Sequence, residues 1–321
     1  MSHRAALVSG TAFALAAGLM WGLVFVAPLM LPQYPAALLS VGRYLAFGLI
    51  ALPLAWWDRE RLREFTRADW REAARLALVG NLLYYLFLAA AIQRAGGPLP
   101  TMIIGTLPVV IAVSSNLRDH ERDGRLAWGR LAPSLLLIAA GIALVNRAEL
   151  DRLAAVADLG RYATGALLAV GAVVCWTWYP LRNADWLRAH VDRSPRAWAT
   201  AQGVATLPLA ALGYLALLPF GNTLAQPLGP EPLHFVALMF AIGLFASWLG
   251  TLCWNEASQR LPTTMVGQLI VFETLSALAY AFALRREWPQ PATAGGIVLL
   301  VAGVLTALRA RPVKAGAAHA A

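Results

Sequence analysis

Apolar residues in this chain come in ten runs, each about as long as the roughly 20 residues an α-helix needs to cross a bilayer. They occupy 5–30, 35–57, 70–92, 98–117, 126–145, 161–187, 195–218, 232–257, 262–284 and 289–309. No connection between them exceeds about 15 residues on the loop-length scale of compact folds, so no separate soluble domain fits anywhere. Continuous runs of this kind form helices, because a lipid-embedded backbone must satisfy its own hydrogen bonds. Membrane β-barrels show short alternating segments instead. The expected fold class is therefore an all-α membrane protein with ten transmembrane helices.

The composition agrees. Of 321 residues, 59% are hydrophobic and 13% charged, with a mean hydropathy of +0.61. That charged share is about half the usual one for a soluble domain. The net charge of +9 would suggest nucleic acid in a soluble protein. Here the arginines sit in short loops between apolar runs, which is the pattern of a topology signal. With the N-terminus inside, the inner loops and span ends carry 17 Lys and Arg against 6 outside. The largest inner cluster is Arg59, Arg61, Arg63, Arg67 and Arg71. Both termini are expected in the cytoplasm, and no nucleic-acid partner is expected. The first run has a basic start but is too long for a signal-peptide core and lacks a cleavage site, so it reads as a helix. The stretch 311–321 reads as a disordered basic tail.

Cys175 and Cys253 lie inside apolar runs and have no metal or disulfide spacing. His3, His120, His190, His234 and His319 lie in or beside loops and tails, and no two have ligand spacing. No cofactor and no metal are expected.

The two halves of the chain resemble each other. "PTMIIGTLPVV" (100–110) sits beside "PTTMVGQLIVF" (262–272), "LLLIAAGIAL" (135–144) beside "IVLLVAGVLT" (297–306), and Trp21 matches Trp176. Each half holds five runs, and five is odd. The second half must then enter the membrane from the opposite side. This gives two inverted five-helix repeats, 1–150 and 151–310, the design of transporters that rock two bundles about a midplane site.

Several strings carry a family resemblance. "LMWGLVFVAPLML" (19–31), "SVGRYLAFGLIALPL" (40–54) and "WNEASQRLPTTMVGQLIVFETLSA" (254–277) resemble, in order and spacing, the ten-helix EamA branch of the drug/metabolite transporter (DMT) superfamily. The resemblance runs from 5 to 309. Two places depart from the pattern: Thr274 stands where the family often has Pro, and "SNLRDHE" (115–121) replaces a Gly-Glu ending. "CWTWY" (175–179) resembles the aromatic sixth helix of bacterial aromatic amino-acid exporters. The resemblance implies a multi-pass protein of the bacterial inner membrane, a monomer or homodimer, that exports small metabolites such as aromatic or other neutral amino acids. It would do so by alternating access, without chemistry on the substrate. Export of drugs or organic cations is the alternative within transporters, and a nucleotide-sugar carrier would call for more buried basic groups. A membrane-embedded enzyme would need a nucleophile–base pair, a metal cluster or paired acids, none of which this pattern offers.

Glu273 is a carboxylate near the middle of the ninth run, where an ionised acid costs at least about 2.5 kcal/mol. It reads as a contact for a substrate amine and as the candidate proton site, or else as half of a structural ion pair or interhelical hydrogen bond. Arg43 lies about 12 Å inside the second run at 1.5 Å per residue. Its readings are a substrate-carboxylate contact or a structural, snorkelling cation. Trp21, Tyr84, Tyr85, Trp176, Tyr179, Trp248 and Gln268 complete the expected cavity lining. Asn81, Gln202 and Ser247 read as interhelical hydrogen-bonding groups. Pro108 reads as a kink, Arg182 as a guard of the inner mouth, and Glu256 with Arg260 as an i,i+4 surface pair.

Overall fold

The computed structural model describes residues 3–95, 98–118, 128–153, 159–220, 225–286 and 288–309, nearly all of them helical. The expected tail after 310, together with His120, Arg122 and Arg125, lies outside the described residues. In chain order the long helices are α1 (His3–Met30), α2 (Ala36–Trp57), α3 (Arg67–Ala95), α4 (Pro98–Ile104 then Leu107–Leu117), α5 (Trp128–Leu153), α6 (Leu159–Ala189), α7 (Pro195–Leu217), α8 (Pro232–Arg260), α9 (Thr263–Leu269 then Val271–Arg285) and α10 (Pro291–Arg309). Seven of these helices are long and apolar enough to cross a bilayer, and shorter apolar helices lie at Leu107–Leu117, Trp128–Leu144 and Pro291–Gly303. Their outer faces expose large apolar side chains such as Leu136, Leu167, Leu212 and Val298, as lipid contact requires. Trp56, Trp57 and Trp288, near helix ends, are largely exposed, the placement of an interfacial aromatic belt.

Local chemistry moves several boundaries from their expected places. The connection expected at 58–69 contains a short helix, Arg59–Arg63. A capping box then starts α3 at Arg67: the Asp69 amide donates to the Thr66 hydroxyl, and the Thr66 amide donates to the Asp69 carboxylate. Helix α5 continues to Leu153, beyond the expected end at 145.

Four helices are irregular, and the irregularities fall on matching helices of the two halves. Helix α3 widens into π-helical turns over Ala77–Leu83, and α8 does the same over Gly243–Leu249. Widening frees backbone carbonyls, and hydroxyls take them: Ser40 Oγ donates to the Leu82 carbonyl, and Ser247 Oγ to the Ile242 carbonyl. Helix α4 breaks at Gly105–Thr106 and α9 at Ile270. The α4 break follows from Pro108, which has no N–H for the Ile104 carbonyl; Thr106 Oγ1 donates to the Ile103 carbonyl beside it, 2.6 Å away.

Helix directions follow from close approaches. Between α5 and α10, Gly141 packs on Gly296 and Leu300, while Gly303 packs on Ser134 and Ile138. As one residue number rises the other falls, so the two helices run antiparallel. The same holds for α2 and α7, where Gly48 meets Leu207 and Gly213 meets Val41. It holds for α3 with α6 (Gly80 on Tyr179, Gly165 on Ala95) and for α1 with α8 (Gly10 on Leu261, Gly250 on Trp21). Helix α1 runs parallel to the second piece of α9, with Gly18 on Phe272 and Gly22 on Ser276. The pairings repeat on moving five helices along the chain: α3 packs on α6 as α8 packs on α1.

Candidate functional site

Between the halves lies a cavity of about 10 Å³, room for roughly one water. Trp21 and Val24 come from α1, Arg43 and Tyr44 from α2, and Trp176 from α6. The widened turns supply Asn81 from α3 and Ala246 and Ser247 from α8. Tyr84 follows the α3 segment directly, Thr251 lies two residues beyond the α8 segment, and Glu273 completes the lining. Arg43 and Glu273 thus reach one cavity, and they come from opposite halves of the chain.

Glu273 does not sit in the middle of a continuous helix as the sequence suggested. It lies in the first turn of the second piece of α9, with its amide donating to the Ile270 carbonyl at 2.9 Å. A helix N-terminus presents unpaired amides and a partial positive charge, which favours a carboxylate there. The glycine at 18 lets this backbone close on α1: a Cβ there would stand 3.0 Å from the Glu273 amide nitrogen. The side chain is buried, at 4% exposure.

Arg43 is fixed from three sides. Its guanidinium carbon lies 4.9 Å from the ring centre of Tyr44 and 4.8 Å from that of Tyr85, a double cation–π contact. Its Nε donates to Ser247 Oγ at 3.0 Å, across the two halves. Its Nη1 is buried without a partner. Among the described residues, no ion pair joins Arg43 to Glu273, although both line the cavity.

Aromatic rings form one wall. Tyr84 stacks on Trp176 at 4.6 Å, and Trp176 on Tyr179 at 4.8 Å. Trp21 meets Trp176 edge-on at 5.1 Å and Trp254 at 5.0 Å. Of the nine expected lining residues, the structure brings five to the cavity: Glu273, Arg43, Trp21, Tyr84 and Trp176. The other four lie behind them. Tyr85 backs Arg43; Tyr179 donates to Gln202 Oε1 at 2.9 Å; Trp248 donates to Thr200 Oγ1 at 3.1 Å. Gln268 is fully buried in the first piece of α9, with both amide atoms unpartnered. Ser247 and Asn81, expected only as hydrogen-bonding groups, do make such bonds (Asn81 Nδ2 to Thr206 Oγ1, 3.4 Å) and line the cavity as well. Tyr44, next to Arg43 in sequence, was not among the expected lining residues, and neither were Val24, Ala246 or Thr251.

Contacts join the halves at both ends. At one end Asp58 pairs with Arg196, Glu64 with Arg193, Glu72 with Arg182, and Asp185 with Arg118. Asp69 accepts from Trp186 Nε1 at 3.0 Å. Arg182, expected as a guard, thus forms a two-point bond to Glu72 at 2.6 and 3.2 Å. Glu256 and Arg260 form the expected i,i+4 pair nearby. At the other end the Tyr34 hydroxyl donates to the Leu228 carbonyl at 3.0 Å and accepts from the Glu231 amide at 2.9 Å. Within the first half, Gln93 bridges the Tyr34 carbonyl and the Ala36 amide and so holds Tyr34 in place.

The pattern of the EamA-like transporter family matches residues 8–147. The chain is 55% identical over 312 residues to the inner membrane protein YtfF of Escherichia coli (strain K12), covering 96% of this chain and 97% of that protein. It is 24% identical over 263 residues to an uncharacterized transporter of Archaeoglobus fulgidus, covering 80% and 83%. A protein known from a crystal structure shares the fold with a TM-score of 0.68 at 18% identity, over 93% of this chain and 97% of that one.

Proposed function

The chain belongs to the EamA-like transporter family and is a multi-pass inner-membrane protein, and from that premise we propose that it exports small metabolites, amino acids first among them, by alternating access through the Arg43–Glu273 cavity. The observation that carries this reading is the cavity itself. One buried cation from the first half and one buried acid from the second line a single small cavity. A zwitterion has one charge for each of them, and the rocking motion would have to widen the space, which here has room for about one water, to admit it.

The mechanism takes the two halves as inverted repeats that together form ten spans, with both termini cytoplasmic. Three features support it: counterpart helices α2/α7 and α5/α10 run antiparallel; widened and broken helices recur at matching positions; and the arginine-rich loops cluster at one end. Discontinuous helices at a midplane site, with half-helix ends directed at the cargo, are what such carriers use. Rocking one half on the other would break the ion pairs at the charged end while the Tyr34 end stays shut, and then the reverse. Glu273 serves as the proton site, taking up a proton when the substrate amine leaves it.

The test is counterflow in liposomes carrying the whole protein, with labelled amino acids, with and without a pH gradient. The reading expects flux that a gradient changes in wild type and not in Glu273→Gln. Absence of flux for every amino acid would remove the substrate class. Gradient-independent flux in both proteins would remove the proton site.

A further inference from the structure

The cavity's hydrogen-bonding groups are unbalanced, and the imbalance indicates which end of a substrate the site holds first. Three buried donors on residues that line it have no partner: Arg43 Nη1, the Tyr84 hydroxyl and Trp176 Nε1. They come from three helices, α2, α3 and α6, and each residue is more than nine-tenths buried. A buried donor without an acceptor carries its full desolvation penalty. Two other polar liners are already engaged. Ser247 accepts from Arg43 and donates to Ile242, and Asn81 donates to Thr206. Resting on the reading of this cavity as the transport site, we propose that the group recognised first is the substrate's carboxylate, anchored on Arg43 with Tyr84 and Trp176 as further donors, and that organic cations lacking a carboxylate are excluded.

The geometry around Arg43 supports this. The guanidinium is oriented in advance by Ser247 and by the rings of Tyr44 and Tyr85. None of these groups neutralises its charge. A planar, permanently charged fork held in one orientation suits two-point binding of a carboxylate. A simple amine entering the same space would satisfy Glu273, yet it would leave three donors unmet and meet the guanidinium's repulsion. Sites built to hydrogen-bond one group reject analogues lacking it far more strongly than they reject analogues missing a methylene. Glu273 then has the second task, accepting the substrate ammonium or a proton.

The experiment uses the full-length protein with two isosteric trios: alanine, ethylamine and propionate; phenylalanine, phenethylamine and 3-phenylpropionate. Binding is read by ligand-induced thermal shift and transport by competition against counterflow of the labelled amino acid. The expected order places the amino acid first, the acid second, and the amine at least about 100-fold weaker than the amino acid. In Glu273→Gln the gap between amino acid and acid closes, and the amine stays excluded. In Arg43→Gln the acid no longer binds. An amine that competes as well as the amino acid overturns the carboxylate anchor while leaving the transport reading intact. If no member of either trio binds or moves, both readings fall. Should Arg43→Gln not fold, the wild-type and Glu273→Gln rankings still decide the matter.

Discussion

At one end of the bundle four carboxylate–arginine pairs join the halves, and each pair takes one partner from either half. At the other end, among the described residues, no carboxylate–arginine pair joins the halves. Glu231 and Arg161 make exposed hydrogen bonds there, to Gln33 and to the Gln93 carbonyl, and the buried contact is neutral. The Tyr34 ring is buried, stacked on Phe235 at 4.8 Å, and covered by a turn at Gly229 with φ +73°. Ion pairs tolerate small shifts, act over a Debye length and weaken in salt. A buried ring under a turn depends on shape and responds little to salt. On the proposed alternating access, the two ends could open independently because their closing contacts respond to different physical variables.

The largest effect is expected at the neutral end. A Cβ at Gly229 would stand 2.2 Å from a Tyr34 ring carbon, and positive φ disfavours β-branched residues. Gly229→Val should therefore cost about 3 kcal/mol from strain plus overpacking, read as a lower melting temperature. It should also admit an impermeant thiol reagent to the cavity from that end only. The probe is Thr251→Cys in a Cys175→Ala/Cys253→Ala background, since Thr251 lines the cavity. Entry from the charged end instead would break the comparison.

Next comes Asp58→Asn. The Asp58 side chain is 3% exposed and its Arg196 partner 40%. Half-exposed arginine softens the loss to about 1–2 kcal/mol. Labelling should now speed up from the charged end and stay unchanged from the other. Raising salt from about 0.05 to 1 M should act in the same direction more weakly, a several-fold rise through the charged end, because the Debye length falls to about 3 Å. Equal salt effects at both ends would show that the ion pairs do not hold that end closed. The smallest effect belongs to Arg75→Ala. That side chain is 66% exposed and reaches Glu72 only at 3.7 Å, so a change within about 0.5 kcal/mol is expected.

Much of this was legible in the sequence because lipid imposes a simple rule: apolar runs of a given length become helices. Glu273 and Arg43 stood out because a charge inside such a run needs a reason. What stayed hidden was the side of the helix that each ring faces. Tyr84 lines the cavity and Tyr85 backs Arg43, although they are neighbours separated by one helical step. The widened turns at Ala77–Leu83 and Gly243–Leu249 shift the helical register just before Tyr84 and Thr251, and no residue pattern announced them. The break at Ile270 was hidden too, since no proline marks it; it separates Gln268 from Glu273 and leaves the amide behind the cavity. The α4 break was readable in part, because Pro108 was expected to bend its helix.

The most direct test of the cavity as the path of transport is protection of Thr251→Cys from thiol labelling by a transported amino acid. At a concentration that saturates counterflow, labelling should be at least about tenfold slower, since the substrate and the reagent compete for the same site. Unchanged labelling while the same amino acid is moving across the membrane would mean that it travels elsewhere, and the assignment of Arg43 and Glu273 to the carrier's site would be contradicted.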